Sequence, residues 1–322
     1  MGPLPGYFPY FIASCKKNPS VRFVIVNDSI DKSILIENVQ YIKMSMNELS
    51  TVFSEKLSAE FSLTNAWKIN EFKPCFGLVF NDLLVNYDFW GWCDIDIIWG
   101  NLRTFLTENL LTDYDVITSK LNWTAGHFTL FRNTQSINSL FLNNPKVIAL
   151  LQSPIYYAFE ESCQRWQGKL FSLETLIDNN MPVSMFDIVK NADKEGKIKA
   201  FFKDLIREHP QPINYIYEDG KLTDLENREE FMYYHLITVK KIWRFFIPAY
   251  TDIPTRFFIT PPGIISEKDR QFSMIWKLRM AYSCAQGIWK SVKKQTLREF
   301  FSKVGKELSV IGNEKSPSLP AQ

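Results

Sequence analysis

The sequence predicts an α/β fold, a sheet of mainly parallel strands flanked by helices. Short β-branched and aromatic runs alternate with stretches of helical period, which is the pattern of strands separated by crossover helices. Polar, chemistry-bearing residues fall just beyond strand-like runs, where open α/β sheets hold their ligands. At 322 residues, 46% hydrophobic and 22% charged, the chain has ample material for a large core.

The elements follow in order. Tyr7, Phe8, Phe11, Ile12 and Cys15 recur at helical spacing with Pro9 in the first turn, so residues 7–17 read as a helix. Arg22–Asn27 is a strand closed by Asn27-Asp28-Ser29, and Val39–Met44 is a second strand. Ser45 and Glu48 form a capping box that opens a helix running to about Leu57. A helix begins near Pro74, with Lys68 and Lys73 ahead of it, where cations oppose the helix dipole. A bound phosphate explains that placement; plain solvated lysines are the alternative.

Further on, Leu102–Leu110 reads as a helix, and Asp115–Thr118 and Phe128–Phe131 as strands. Residues 136–180 are helical with loops, Ile213–Tyr217 is a strand before a turn at Asp219-Gly220, and a strand from Phe231 contains His235. Pro248 to Pro262 is a proline-bearing connector. Residues 266–309 interleave Lys and Arg with Trp and Phe, a helical extension suited to an anionic membrane surface or, alternatively, an amphipathic helix packed on the body. The expected organisation is a catalytic domain over residues 1–247, a connector at 248–265, the basic extension, and a disordered tail at 310–322.

A net charge of +2 makes the molecule as a whole a poor nucleic-acid binder. Five widely spaced cysteines with no C-x-x-C pair argue against a disulfide framework or a zinc site and for a reducing compartment. No apolar run reaches the length of a membrane span and no signal-peptide layout opens the chain, so a cytoplasmic location is expected, with peripheral attachment to the inner membrane face through the basic extension.

The centre of the sequence is Tyr87–Gly100, YDFWGWCDIDIIWG. Asp94 and Asp96 are two carboxylates in an apolar run, and an unpartnered buried charge is very costly. On a strand they share a face, so one hard ion, Mn²⁺ or Mg²⁺, satisfies both; a turn or an ion pair is the alternative. A second D-x-D, Asp113/Asp115, lies in a turn and reads as turn chemistry. His235, with Lys240 and Lys241 shortly after it, fits a metal–phosphate site, imidazole on the ion and ammonium groups on phosphate; a structural histidine with a solvated basic end is the alternative. Asn27 and Asp28 occupy another strand end. Gly126 lets a ligand approach the backbone beside His127. Glu160 and Glu161 are adjacent acids pointing in different directions, so at most one serves a site directly.

Taken as an ordered set, PGYFPYFIASCKKNP, VIVND, INEFKP, YDFWGWCDIDIIWGNL, GHFTLFRN, AFEES and EFMYYHLITVKK resemble a family of bacterial polysaccharide glycosyltransferases with the GT-A fold, over residues 1–241. The resemblance implies a nucleotide-sugar donor, UDP-linked, bound over a Rossmann-like mixed sheet, with the metal held by Asp94, Asp96 and His235. It implies donor contacts from Asn27, Asp28, Lys68, Lys73, Lys240 and Lys241, and a sugar or acceptor side at Gly126 and His127. Glu161 or Glu160 is then the base if transfer inverts configuration. The acceptor is a growing surface polysaccharide or lipid-linked glycan, and galactose, as pyranose or furanose, is the sugar the related enzymes suggest. Two departures stand out: only MGPLPG precedes the first helix, so either a shortened chain or a sheet without its usual first strand is expected, and Glu160-Glu161 replaces an Asp-Glu pair. A metal-dependent nucleotidyltransferase or phosphotransferase and an inactive sugar-binding module are the competing classes; no Gly-rich P-loop is present.

Overall fold

The computed structural model describes residues 1–29, 36–165, 169–208, 215–241, 245–250, 252–260 and 263–267. Within them the fold is mixed α/β, with helices and four small sheets.

Helix α1 (Phe8–Lys16) opens the chain and carries Pro9 in its first turn. It is followed by β1 (Phe23–Asn27) and β2 (Val39–Lys43), a parallel pair. Helix α2 (Met46–Leu57) starts at Ser45, whose side chain and that of Glu48 cap each other's backbone as the sequence predicts. Residues Ala66–Cys75 form a 3₁₀ stretch and Phe76–Val79 only one α-helical turn, in place of the longer helix expected near Pro74.

The sheet that leads to the site is β3 (Phe89–Cys93), β5 (Val116–Thr118), β6 (Phe128–Arg132) and β7 (Ala200–Phe202), in the order β3-β6-β5-β7. Beside it lies a three-stranded sheet of β4 (Ile97–Trp99), β8 (Ile206–Arg207) and β11 (Tyr233–His235), in the order β4-β11-β8. The consecutive strands β3 and β4 therefore belong to different sheets, and residues 94–96 cross between them. Aromatic rings weld each side: Trp90 stacks on Phe131 at 5.0 Å, and Trp99 packs edge-on to Phe128 and Tyr233 at 5.2 and 5.0 Å.

Two expectations are corrected. Among the described residues the strands are mainly antiparallel: six pairings run antiparallel, against three parallel ones, β1 with β2, β5 with β7 and β8 with β11. Parallel neighbours need a crossover of a dozen residues or more, and β3 and β4 are separated by only Asp94, Ile95 and Asp96. The expected connector at 248–265 is also no linker. It contains β12 (Arg256–Thr260), which with β9 (Tyr215–Glu218), β10 (Lys221–Asp224) and β13 (Gly263–Ser266) makes a four-stranded antiparallel sheet. That sheet packs on α1 through Tyr10, whose ring meets Phe257 at 5.4 Å and whose hydroxyl donates to the Pro248 carbonyl. The predicted turn at Asp219-Gly220 joins β9 to β10, both residues in the left-handed region that a two-residue hairpin demands. Residues 268–309 and the tail lie outside the described residues; among the described residues no helix is long and apolar enough to cross a membrane.

Asn18 fastens α1 to the strand carrying Trp99. Its amide donates to the Ser14 and Gly100 carbonyls at 3.1 and 2.9 Å and accepts from Leu102 N at 2.9 Å, all buried. An unmade buried hydrogen bond costs on the order of 1–3 kcal/mol. Asn18→Ala should lower the free energy of unfolding by about 2–4 kcal/mol, measured by urea titration; a change below about 0.5 kcal/mol would show that Asn18 is not the tie.

Candidate metal centre

Strand register, rather than strand alternation, brings the site together. In the antiparallel β4–β11 pair His235 lies opposite Ile97, and Leu236 N donates to the Asp96 carbonyl at 2.8 Å. On the other side Cys93 lies opposite Phe128, and Asp94 N donates to the His127 carbonyl at 3.1 Å. Tyr234 pairs with Arg207 in the parallel β8–β11 pair, which sets Glu208 beside His235. Asp94, Asp96, His127, Glu208 and His235 thus converge where neighbouring strands end or begin. Asp94 and Asp96 do share a locus, but from the bend between two sheets and not from one face of a strand.

One donor atom from each of Asp94, Asp96 and His235 lies within 4.8 Å of the others. His235 Nε2 is 3.4 Å from Asp96 Oδ2 and 4.0 Å from Asp94 Oδ2. The imidazole is 1% exposed, and Nε2 is buried with no hydrogen-bond partner. Its Nδ1 meets Glu208 Oε1 at 3.0 Å, which turns Nε2 toward the two aspartates. A carboxylate that fixes the tautomer and aim of a ligand histidine is the usual support of a metal-bound imidazole. Two carboxylates and one imidazole, one nitrogen of which is orphaned, therefore fit a divalent ion such as Mn²⁺ or Mg²⁺.

The chain also brings its own cations. Lys73 Nζ bonds Asp94 Oδ1 at 2.5 Å and the Gly126 carbonyl at 2.7 Å, and Lys240 Nζ bonds Asp96 Oδ2 at 2.5 Å. Burial favours the neutral amine of Lys73, but Asp94 and Glu160 outweigh it and hold the pKa above its ordinary value. Burial alone would raise Asp96; His235 and Lys240 outweigh that and hold it well below the usual carboxylate range. Burial likewise works against a charged His235, yet the carboxylates of Asp96 and Glu208 carry it up to about 9, so without a bound ion an imidazolium helps neutralise the cluster. Glu208 is brought down to about 2, against its own burial, by the bonds from His235 and Lys120.

A second group, His127, Glu208 and His235, also lies within 4.8 Å, and in it His127 Nε2, 3.4 Å from Glu208 Oε1, is buried with no hydrogen-bond partner while other donor atoms are engaged. Lys120 Nζ bonds Glu208 Oε2 at 2.7 Å, and the Tyr233 hydroxyl meets His127 Nδ1 at 2.5 Å. Burial pushes His127 well below its ordinary pKa, so it is a neutral ring packed 4.5 Å from His235. This group shares His235 with the first and lies directly behind it.

The residues expected from sequence divide accordingly. Asp94, Asp96, His235, Lys73 and Lys240 meet; Lys241 is exposed at the end of the same turn. His127 stands behind His235 and lines no sugar-facing surface, because its ring is buried between Tyr233 and His235. At Gly126 the close neighbour is the chain's own Glu161: a Cβ there would meet Glu161 Oε1 at 2.7 Å, and the Gly126 N–H donates to that oxygen at 3.1 Å. Lys68 is not a phosphate ligand. Its ammonium is buried against Glu71 and the carbonyls of Leu150 and Ile155, and Glu71 in turn accepts from Tyr157 N, a brace under the segment carrying Glu160 and Glu161. Asn27 and Asp28 bond the backbone of Gly2, tying down the N-terminal segment. Asp113 ends a helix, Glu108–Asp113, and Asp115 pairs with Arg132 at 2.8 Å and accepts from Lys199 N at 2.9 Å, long-range contacts in place of the turn chemistry expected.

The two acids separate. Glu161 is only partly buried and bonds Gly126 beside Asp94, whereas Glu160 is 2% exposed, accepts the Tyr156 hydroxyl at 2.5 Å and leaves Oε2 buried without a partner. Glu160 is therefore corrected from a catalytic candidate to a buried neighbour of the site, bonded to Tyr156. Two members were missed. Tyr7, at the start of α1, faces the pair: burial and the charges of Asp96 and Asp94 push its phenol up to about 12. Glu208 lies in a polar stretch that offered no period or motif.

Residues 1–268 match a family of unknown function, DUF6625, and the chain belongs to that family. No curated protein and no solved structure matches it.

Burial raises Glu160 from 4.5 to about 7, with Lys73 and the Tyr156 bond only partly opposing it. A carboxyl raised on folding adds stability in full below its unfolded pKa and loses it as pH climbs through the folded value. Glu160→Gln should therefore gain on the wild type between pH 5 and pH 8 by up to about 3 kcal/mol, measured as the difference in urea stability at the two pH values; equal differences at both would contradict a neutral buried Glu160.

Proposed function

We propose that this protein is a divalent-metal-dependent glycosyltransferase that moves a sugar from a nucleoside-diphosphate donor, UDP-linked, to a hydroxyl of a glycan or lipid-linked acceptor. The carrying observation is the donor set of Asp94, Asp96 and the orphaned Nε2 of His235, flanked by Lys73 and Lys240. The resemblance of the ordered motifs to GT-A polysaccharide enzymes supports the same reading.

Charge explains why a diphosphate suits the place. Asp94, Asp96 and Glu208 are matched by Lys73, Lys240 and Lys120, which leaves the Glu161 carboxylate unmatched. A divalent ion beside a neutral His235 then still leaves net positive charge for an incoming anion. A nucleoside diphosphate satisfies that need, and an uncharged ligand alone does not.

When bound, Mn²⁺ or Mg²⁺ supplies Lewis-acid stabilisation of the diphosphate oxygens. Lys73 and Lys240 add ammonium donors where charge grows as the bond from the anomeric carbon to the leaving phosphate breaks. The sugar becomes oxocarbenium-like as that bond opens. Glu161, held by the Gly126 N–H next to Asp94, accepts the acceptor's proton if configuration inverts; a retaining transfer needs no such base. Glu208 and His127 keep His235 in place and take no part in bond making. The sequence-based expectation of attachment to an anionic membrane rests on residues 266–309 and belongs to the same proposal.

Asp96→Ala should lower metal-dependent hydrolysis or transfer of UDP-sugars by about 100-fold or more, and Lys240→Ala by about tenfold, with Mn²⁺ plus UDP raising the melting temperature of the wild type and not of Asp96→Ala. Full turnover in excess chelator, or pyrophosphate release from a nucleoside triphosphate instead of sugar transfer, would overturn the reading.

A further inference from the structure

A cavity of about 360 Å³ is lined in part by Glu208, the residue that holds His235 Nδ1. Its lining includes Lys120, Asn122, Trp123, Asp204, Arg207 and Glu208. We propose that it binds an uncharged sugar ring and, granted the transferase reading above, that this ring belongs to the acceptor.

The lining matches that chemistry on three counts. Trp123 is half-buried and offers an aromatic face on which the C–H side of a pyranose packs, with Lys120 Nζ 5.6 Å from the ring centre. The charged groups are already paired. Lys120 bonds Glu208, Arg207 lies 3.6 Å from Asp224 and 3.4 Å from Glu229, and Asp204 accepts the Leu121 N–H at 3.3 Å. Among the described residues no surplus positive charge is left to attract phosphate or a carboxylate, but carboxylate oxygens, guanidinium N–H groups and the Asn122 amide remain close together. A ring of hydroxyls, each both donor and acceptor, answers such a mixed set. The volume lies at the small end of the roughly 300–1,000 Å³ of ligand pockets, a fit for one or two sugar rings and not for a nucleotide-sugar.

The position supports an acceptor role. Glu208 belongs to both places, lining the cavity while it holds His235 Nδ1. The loop bearing Trp123 is fixed to the catalytic acid's segment, since Thr124 Oγ1 bonds the Glu160 and Glu161 carbonyls at 2.8 and 3.0 Å. One short loop thus joins the aromatic platform to Glu161.

Saturation-transfer NMR in excess chelator and without nucleotide tests this, using the methyl glycosides of glucose, galactose and mannose alongside methyl glucuronide, with inorganic phosphate added as a competitor that displaces them if it is preferred. At least one neutral glycoside should receive saturation. Trp123→Ala should cut that signal at least fivefold, Trp123→Phe should keep most of it, Asn122→Ala on the exposed rim should reduce it, and Asp96→Ala should leave it unchanged. Silence from all neutral glycosides, equal signal in a folded Trp123→Ala, or preference for the glucuronide or phosphate would each overturn the proposal. Neutral-sugar binding in a protein that turns over no nucleotide-sugar would instead sink the transferase reading and leave the sugar site standing.

Discussion

The contact between His235 and Glu208 is the constraint on which the rest of the centre depends. Glu208 holds one imidazole nitrogen and Lys120 holds Glu208, so the other nitrogen can face only Asp94 and Asp96. Without that support a buried ring could turn toward Tyr233 or rotate out of line, and two aspartates would be left with lysines alone. The three-stranded sheet makes the arrangement possible: β11 lies between β4 and β8 and borders Asp96 on one flank and Glu208 on the other.

So much buried charge is a poor way to stabilise a protein. Ion pairs removed from water recover their desolvation cost only with good geometry and further hydrogen bonds, and apolar substitutes often do as well or better. Here Asp96 is 3% exposed yet has both Lys240 and His235, and Lys73 is buried between Asp94 and a carbonyl. Concentrated charge of this kind, with perturbed titration, is more often found where chemistry occurs than where a fold is held together. The fold is held elsewhere, by the ring-on-ring packing of Trp90 with Phe131, of Trp99 with Tyr233 and of Tyr10 with Phe257.

Local features were legible in the sequence because local physics decides them. The capping box at Ser45 and Glu48, Pro9 in the first turn of α1 and the Asp219-Gly220 hairpin each follow from a few neighbouring residues. The aspartate pair, His235 and Lys240 also stood out, since charge inside apolar runs demands a partner. Pairing did not show itself. A strand's run of apolar residues says that it is buried but not which neighbour it takes, so β12 looked like a proline loop and the sheets looked parallel. Glu208 and Tyr7 reach the centre only through register and helix docking, and no spacing along the chain records that. Lys68 misled for the opposite reason: its neighbour Lys73 has the same look in sequence, yet Lys68 ends against Glu71, part of a brace, and Lys73 against Asp94.

The crossing of residues 94–96 from one sheet to the other has a mechanical meaning. The two aspartates are the rivet between two plates, one backed by Trp90 and Trp92 and the other by Trp99. Because these residues join the two plates, the spacing of their carboxylates depends on how the plates are set against each other. Whatever grips both side chains at once therefore also locks the plates, and the tightness of that grip becomes a gauge of how the two halves are aligned.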